Sequence, residues 1–280
     1  MILGRFLDTP LALEQRAANE MLDRFRTDLM AFEDTGVESA VEDDIEMRAQ
    51  YGARRADGRS FDLVQRVGII PITGMLVHAS THYFIDVGYS QIGWSFSDAM
   101  ADSEVRAIAL QIGSPGGEVA GLFDLVDSLH GARGTKPVWA ILDDHAYSAA
   151  YAVASAADKV FVPRTGGVGS IGVLTAHMDV SEALKQQGIN VTLVQYGERK
   201  TDYSPFKPLS DGAKARLQAD VDAVGEMFVE SVARNRKIAR AKVRNTEAAL
   251  FMGAAGVEAG LADAVSSPQE AFNALVKKVS

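Results

Sequence analysis

From residue 63 onward, short apolar runs rich in β-branched residues alternate with stretches of helical character. This alternation is typical of βα units around a mainly parallel sheet, because a buried parallel strand is apolar on both faces. The sequence therefore predicts an α/β fold, with helices near residues 93–101, 118–131, 147–157 and 179–187. The predicted strands are VGIIPI, VRAIALQI, PVWAILD, KVFV, SIGVL and NVTLVQY, followed by a helix after residue 209 capped by Ser210, a short strand in GLADAV and a terminal helix.

The composition of the 280 residues, 47% hydrophobic and 23% charged, is that of a folded globular protein. An excess of 37 acidic over 28 basic residues gives a net charge of −9, which opposes binding to nucleic acid or to anionic lipid. The sequence has no cysteine, so thiolate catalysis and disulfides are excluded. Its five histidines never fall at the spacings of a zinc site, and we expect no metal or other cofactor.

Residues 1–62 are predicted to form an N-terminal arm, separate from a main domain over residues 63–280. Thr9 and Pro10 suit the N-cap and first position of a helix. Residues 33–46 carry seven acids in fourteen positions, which indicates a solvated linker. The apolar stripe that makes this predicted helix amphipathic consists of Ala18, Leu22, Phe25, Leu29 and Phe32.

The sequence gives no sign of a segment that targets or anchors the chain to a membrane. Arg5, Asp8 and Pro10 interrupt the first apolar residues before they reach the length of a signal peptide. No stretch approaches the roughly 18 to 20 uninterrupted apolar residues of a membrane-spanning helix. We therefore expect a cytoplasmic protein without a membrane anchor.

Two segments in the predicted sheet have the character of an active site. Ser114-Pro115-Gly116-Gly117 directly follows a buried strand, and its glycines permit positive φ and close approach of a ligand to the backbone. Ser148 follows the next long strand and opens a helix of small residues, where the N–H of Ala149 is suited to stabilise an oxyanion. Each segment also has an ordinary interpretation, the first as a tight βα turn and the second as an N-cap.

A lysine and a glycine-rich loop complete the set of candidates. Lys200 follows the predicted strand NVTLVQY, which would place it at the same sheet edge as Ser148. It could serve as a general base if burial kept it neutral, although most loop lysines are simply solvated. Residues 165–172 are rich in glycine but lack the lysine of a P-loop, so we interpret them as the wall and floor of a cleft. Ser170 in this loop is a candidate to hold Lys200, or else a simple turn serine.

From about Gly68 to Val265 the sequence resembles the signal peptide peptidase A family of serine peptidases, most closely the capsid-maturation proteases of tailed bacteriophages. The resemblance rests on five motifs in the family's order: AIALQIGSPGGEVAG, HAYSAAYAVASAADKVFV, GGVGSIGVLTAH, LVQYGERKTDYSPFKPLS and AGLADAV. It implies a Clp/crotonase-like spiral of ββα units and a serine endopeptidase with a Ser/Lys dyad. It also implies a ring-shaped homo-oligomer, with the N-terminal arm and the region after residue 209 as candidate contacts.

The resemblance also assigns roles to individual residues. It implies Ser148 as nucleophile, Lys200 as base, Ser170 as support for the lysine, and Gly117 and Ala149 as the oxyanion hole. The implied substrates are capsid, portal or scaffold proteins, with a phage or prophage head-maturation role in the bacterial cytoplasm or inside procapsids. Tyr147, Ala149 and Ala150 replace the glycine-rich turn around the nucleophile of the cellular enzymes, which changes the expected shape of the cleft.

Four other interpretations remain open at this stage. One is a cellular enzyme of the same family that degrades peptides. A Ser/His mechanism could use His145 or His177, with Asp143, Asp144 or Asp179 nearby. Hydratase or isomerase chemistry on acyl-CoA would need Glu118 beside the glycine pair. A catalytically silent scaffold would use the arm and linker to bind partners.

Overall fold

A computed structural model of the chain describes residues 11–13, 58–78 and 86–280. Within these residues ten strands form one mostly parallel sheet, in which β10, β7, β6, β5, β3 and β2 are neighbours in that order. The strands are β1 (Leu11–Leu13), β2 (Asp62–Val64), β3 (Val67–Val77), β4 (Asp86–Gly88), β5 (Ala107–Glu118), β6 (Val138–Tyr147), β7 (Lys159–Val162), β8 (Gly167–Gly169), β9 (Leu250–Met252) and β10 (Ala264–Val265).

Helices cover both faces of this sheet, as the apolar strands require. Along β5, Ile108, Leu110 and Ile112 belong to the main core, whereas Ala107 and Ala109 pack on the opposite face with residues of the C-terminal helix. In chain order the helices among the described residues are α1 (Tyr89–Ala101), α2 (Leu122–Gly131), α3 (Ala149–Ser155), α4 (Ser181–Gln186), α5 (Asp211–Arg236), α6 (Arg240–Arg244), α7 (Ala254–Glu258) and α8 (Pro268–Val279).

The predicted α/β fold with a mainly parallel sheet is confirmed, and most of the predicted elements are present. The first four predicted strands correspond to β3, β5, β6 and β7, and GLADAV ends in β10. The Ser210 hydroxyl caps α5 by accepting a hydrogen bond from the N–H of Ala213 at 3.2 Å. Among the described residues no helix is long and apolar enough to cross a membrane.

Four predictions about individual segments are wrong. SIGVL is not a regular strand, because the strand there is β8, just before it, and NVTLVQY has no regular secondary structure. Ser114-Pro115-Gly116-Gly117 continues β5 as extended chain and does not form a turn. Leu11–Leu13 is a strand, so these residues do not form the first turn of the predicted helix. The rest of that predicted helix and the acidic stretch 33–46 lie outside the described residues.

Residues just before β2 already contact the body of the protein. Phe61 is buried, the Ser60 hydroxyl donates to Asp98 at 2.8 Å, and Arg59 forms an ion pair with Asp102 at 2.8 Å. The hydrogen bond from Arg59 is the main reason that the pKa of Asp102 lies below its usual value. The division of the chain near residue 62 stays a prediction.

The short helix α3 is fixed at its C-terminal end by polar groups from distant parts of the chain. The Arg133 guanidinium donates to the carbonyls of Ser155, Ala156, Ala157 and Asn235 at 2.6 to 2.9 Å. The Asn235 amide donates to the buried Ser155 hydroxyl at 3.0 Å. These bonds satisfy carbonyls that the end of a helix leaves without an intrahelical partner.

We predict that Arg133→Met lowers the free energy of unfolding by about 2 to 4 kcal/mol, because partly buried carbonyls lose a charged donor. Urea denaturation measures this loss. The control is Arg240→Met, which removes the exposed ion pair with Glu230 and should cost less than about 0.5 kcal/mol. Equal losses in the two variants would contradict the anchoring role of Arg133.

Candidate active site

Ser148 occupies a strained backbone conformation between β6 and α3. Its φ of 52° and ψ of −120° lie in a region that non-glycine residues rarely adopt, and the residue is completely buried. Its N–H donates to the Gly169 carbonyl at 2.9 Å, and its carbonyl accepts from the N–H of Ala152 at 3.0 Å. Hydrogen bonds therefore hold the backbone on both sides of Ser148. The hydroxyl lies 3.4 Å from the Gly172 carbonyl oxygen. Strain that the surroundings enforce in this way is common at catalytic positions.

The two glycines of β5 pack closely against neighbouring backbone, Gly116 at the start of α3 and Gly117 at β3. Gly116 has a φ of +108°, and a Cβ built on it would lie 3.0 Å from the Cβ of Ser148 and 3.1 Å from the backbone nitrogen of Ala149. A Cβ on Gly117 would lie 1.8 Å from the Leu76 carbonyl oxygen. Only glycine therefore fits at either position, and the absence of side chains lets the two backbones approach.

The backbone N–H of Ala149 is therefore placed beside the glycine pair. Ala149 is the first residue of α3, so its N–H has no acceptor within the helix. Such an N–H at a helix N-terminus is suited to bind a developing negative charge.

The glycine-rich loop borders Ser148 on another side. β8 pairs in parallel with residues 145–147 of β6 and antiparallel with β9. Ser170, which directly follows β8, is buried, has a φ of 54°, and donates its N–H to the Ala249 carbonyl at 3.0 Å. The structure thus brings Ser148, Ala149, Gly117 and Ser170 into one neighbourhood.

Lys200 lies in a different environment from these four residues. It is exposed and sits in a turn, where its N–H donates to the Gly197 carbonyl at 3.1 Å. The preceding segment is exposed too, with Val194 at 94% and Tyr196 at 100% of their full accessibility. The expectation that Lys200 ends a strand of the central sheet is wrong, because residues 190–196 join no strand within the described part of the chain.

His145 has a carboxylate partner, which the sequence alone did not make convincing. Its Nδ1 lies 2.8 Å from Asp144 Oδ2, and its ring stacks on Tyr147 with centroids 4.8 Å apart. The Asp144 side chain is 66% exposed, so this pair is largely solvated. The other histidine, His177, contributes to the lowered pKa of Asp179, whose main cause is hydrogen bonding from Ser181.

Glu118 is engaged in the packing beside the glycine pair. Its carboxylate accepts the backbone N–H of His78 at 2.6 Å, and its carbonyl accepts the Tyr89 hydroxyl at 2.5 Å. Burial and the nearby Glu118 raise the pKa of Tyr89 well above its usual value. These contacts make Glu118 a structural residue in this state and weaken the acyl-CoA interpretation.

A comparison with models of protein families identifies the family of this chain. The model for peptidase family S49 matches residues 131–280, which include Ser148, Ser170 and Lys200. The chain belongs to peptidase family S49. The match begins after β5 and does not include the glycine pair.

Several relatives resemble this S49 chain over most of its length. It is 38% identical over 220 residues to the head-tail preconnector protein GP5 of Enterobacteria phage P21, covering 78% of this chain and 44% of that protein. It is 36% identical over 227 residues to the capsid assembly protease C of Escherichia phage lambda, covering 80% and 51%. Protease 4 of Haemophilus influenzae is 23% identical over 215 residues, covering 76% and 35%. The chain thus spans about half the length of the two phage proteins.

The sequence did not reveal two features of this S49 site. One is a further anchor of α3, the hydrogen bond that the Tyr151 hydroxyl donates to the Leu261 carbonyl at 2.9 Å. The two residues are 110 positions apart in the sequence. The other feature is Leu11–Leu13, which pairs with β5 at the glycine pair. Alternating apolar residues after Pro10 were the available signal for this strand, but the same residues also fit the start of a helix.

We predict that Gly116→Ala and Gly117→Ala each abolish reaction of Ser148 with a fluorophosphonate and lower the melting temperature. At Gly116 the positive φ alone costs about 1 to 3 kcal/mol, and at Gly117 a Cβ would overlap the Leu76 carbonyl. Labelling read by intact mass, together with thermal unfolding, measures both effects.

Gly113→Ala is the matched control, because a Cβ there meets nothing within 4 Å although the residue lies in the same strand. It should label and melt like the parent protein. Mild behaviour of Gly116→Ala, or severe damage by Gly113→Ala, would show that the close approach at the glycine pair is not what the site requires.

Proposed function

We propose that this chain is a serine endopeptidase in which Ser148 is the nucleophile and Lys200 the general base. The observation that carries the proposal is the enforced strain at Ser148, which holds a buried serine beside Gly116 at the start of α3. Membership of peptidase family S49 supports the reaction class. On this proposal Ser170 supports the lysine, and the fold is a Clp/crotonase-like spiral of ββα units.

The proposed reaction passes through an acyl-enzyme. Neutral Lys200 takes the hydroxyl proton of Ser148 while Oγ bonds to the scissile carbonyl carbon. The C–N bond then breaks, the amine leaves with the proton from Lys200, and the acyl group remains on Ser148 as an ester. Water hydrolyses this ester with Lys200 again as base, which regenerates the free serine.

The N–H groups of Gly117 and Ala149 are the proposed oxyanion hole. Negative charge develops on the carbonyl oxygen as the tetrahedral intermediate forms, and each preorganised donor contributes about 3 to 4 kcal/mol in comparable enzymes. Both donors belong to backbone whose position is fixed by packing, Gly117 through β3 and Ala149 through Ser148. Little reorganisation is therefore needed when the charge appears.

Lys200 must lose contact with water to act as a base, and we propose that assembly of several chains achieves this. An exposed lysine is protonated near neutral pH, whereas burial lowers the pKa of lysine. The neighbouring segment exposes Ile189, Val191, Leu193, Val194 and Tyr196, an apolar surface of the kind that subunits cover. A ring-shaped homo-oligomer that buries this segment would desolvate Lys200 at the same time.

We predict that Val194→Asp dissociates the oligomer and slows labelling of Ser148 by a fluorophosphonate. A carboxylate at a buried apolar contact carries a desolvation cost that the free chain avoids. Light scattering coupled to size exclusion measures the mass. Val64→Asp is the control, because Val64 is an exposed valine on β2 and its substitution should leave the assembly intact. A monomeric wild-type protein, or an intact Val194→Asp oligomer, would refute this proposal.

For the biological role we propose a phage or prophage head-maturation protease. The two phage relatives bear the names of a capsid assembly protease and a head-tail preconnector. The proposed substrates are therefore capsid, portal or scaffold proteins, cut in the bacterial cytoplasm or within procapsids by a domain over residues 63–280 that carries an N-terminal arm.

We predict that a fluorophosphonate adds once to the wild-type protein, does not add to Ser148→Ala, and adds about a hundredfold or more slowly to Lys200→Ala. The reason is that only an activated serine attacks phosphorus, and removal of its base leaves the hydroxyl protonated. Intact mass and the rate of adduct formation are the readouts. A folded wild-type oligomer that takes no label would refute the peptidase proposal and favour the silent scaffold.

The same assay separates a Ser/Lys from a Ser/His mechanism. His145→Ala and His177→Ala should both label at the wild-type rate, since the proposed base is Lys200. If either variant lost labelling while Lys200→Ala kept it, the Asp144–His145 pair or His177 would take over the role of the base.

A further inference from the structure

The edge of β5 next to the nucleophile is occupied by the chain's own N-terminal segment. β6 pairs with β5 only as far as Ser114, which lies opposite Ala146, and β6 then leads to Ser148. β3 holds one edge of β5 beyond this point, with Leu76 opposite Gly117. Leu11–Leu13 pairs antiparallel with residues 116–118 and thus fills the edge that β6 has left.

Ala12 is placed at the centre of the candidate site. It lies opposite Gly117 in the strand register and is completely buried. Its carbonyl oxygen lies 2.3 Å from the point that a Cβ on Gly116 would occupy, and the same point is 3.0 Å from Ser148 Cβ and 3.1 Å from the Ala149 nitrogen. The Ala12 carbonyl therefore shares one small volume with the nucleophile and a proposed oxyanion donor.

We propose that Leu11–Leu13 is an internal ligand of the active site, which holds the place of an extended peptide substrate and must leave before a substrate binds. The inference rests on the proposed function, because it takes the surroundings of Ser148 as the place of reaction. A peptide added to a free sheet edge gains main-chain hydrogen bonds, and its specificity comes from the side chains that face pockets. The buried Ala12 then indicates substrates with a small side chain at this position.

The tether makes even a short strand an effective competitor. A segment of the same chain acts at an effective concentration on the order of millimolar, so a weakly bound strand stays in place against dilute peptide. A strand with only three paired residues makes few main-chain hydrogen bonds, so a substrate at high local concentration can displace it. Leu11–Leu13 therefore excludes dilute peptides from the site, whereas substrates at high local concentration can displace it.

The test uses peptide binding in a protein that cannot cleave. A fluorescent peptide with the sequence of residues 8–16, DTPLALEQR, is titrated into Ser148→Ala and into Ala12→Arg combined with Ser148→Ala. Arginine does not fit the buried Ala12 site, so it frees the edge, and anisotropy should report at least about tenfold tighter binding. The matched control is Ala215→Arg in the same background, an exposed alanine on α5 that should leave affinity unchanged.

A second peptide serves as a control, and a second variant is an alternative to Ala12→Arg. DTPLRLEQR, with arginine at the Ala12 position, should bind at least about tenfold more weakly than the parent peptide to the opened protein. If Ala12→Arg fails to fold, Leu13→Pro opens the edge by removing a backbone donor from the strand. Equal affinity of the closed and opened proteins for the parent peptide would overturn the proposal, as would equal affinity of the two peptides.

The outcome is separable from that of the proposed function. Binding is measured without turnover, whereas the peptidase proposal depends on labelling of the wild-type serine. Tighter binding after opening, in a protein that never labels, would keep Leu11–Leu13 as an internal ligand of a peptide-binding site. Labelling without any effect of Ala12→Arg on binding would keep the peptidase and remove the internal ligand.

Discussion

The backbone at Ser148 is the constraint on which the rest of the site depends. β6 ends and α3 begins within one residue, and only a φ near 52° makes that change of direction possible here. The Gly169 carbonyl and the first turn of α3 hold this conformation from both sides. Four of the seven residues of α3 are alanine, and the helix lies directly against β5. The strain is therefore supported by packing on every side.

The supports of α3 come from sequence far from Ser148. Arg133 precedes the helix, Asn235 lies in the last turn of α5, and the Leu261 carbonyl lies just before β10. Each contact is a hydrogen bond in a poorly solvated place, where loss of one partner costs more than the bond contributes. All three residues lie within the segment 131–280 that matches family S49. The long helix α5 and the loop before β10 fix the position of a seven-residue helix.

Much of the fold could be predicted because a buried strand or a capped helix has a recognisable pattern within its own short stretch of sequence. The β-branched runs of β3 and β7, and the cap at Ser210, are signals within a few residues of sequence. The segment Ser114–Gly117 could not be predicted as a strand, since proline and glycine usually mark a turn, yet here glycine is needed for close packing within a strand. Leu11–Leu13 could not be predicted either, because a proline before apolar residues fits the start of a helix as well as an edge strand. Only the fold brings these segments together.

The prediction at NVTLVQY failed for a different reason. Its apolar, β-branched pattern does indicate a buried surface, but within the described part of the chain Val194 and Tyr196 meet solvent. The pattern and the exposure agree if the partner of this segment is another chain, which is the assembly proposed above. The two proposals, on the edge of β5 and on Lys200, together describe the site in a single chain. The edge of β5 is closed by the chain's own strand. In the proposed assembly Lys200 leaves solvent only when subunits meet, so a lone chain holds Ser148 in its strained conformation without a free strand edge or a desolvated Lys200.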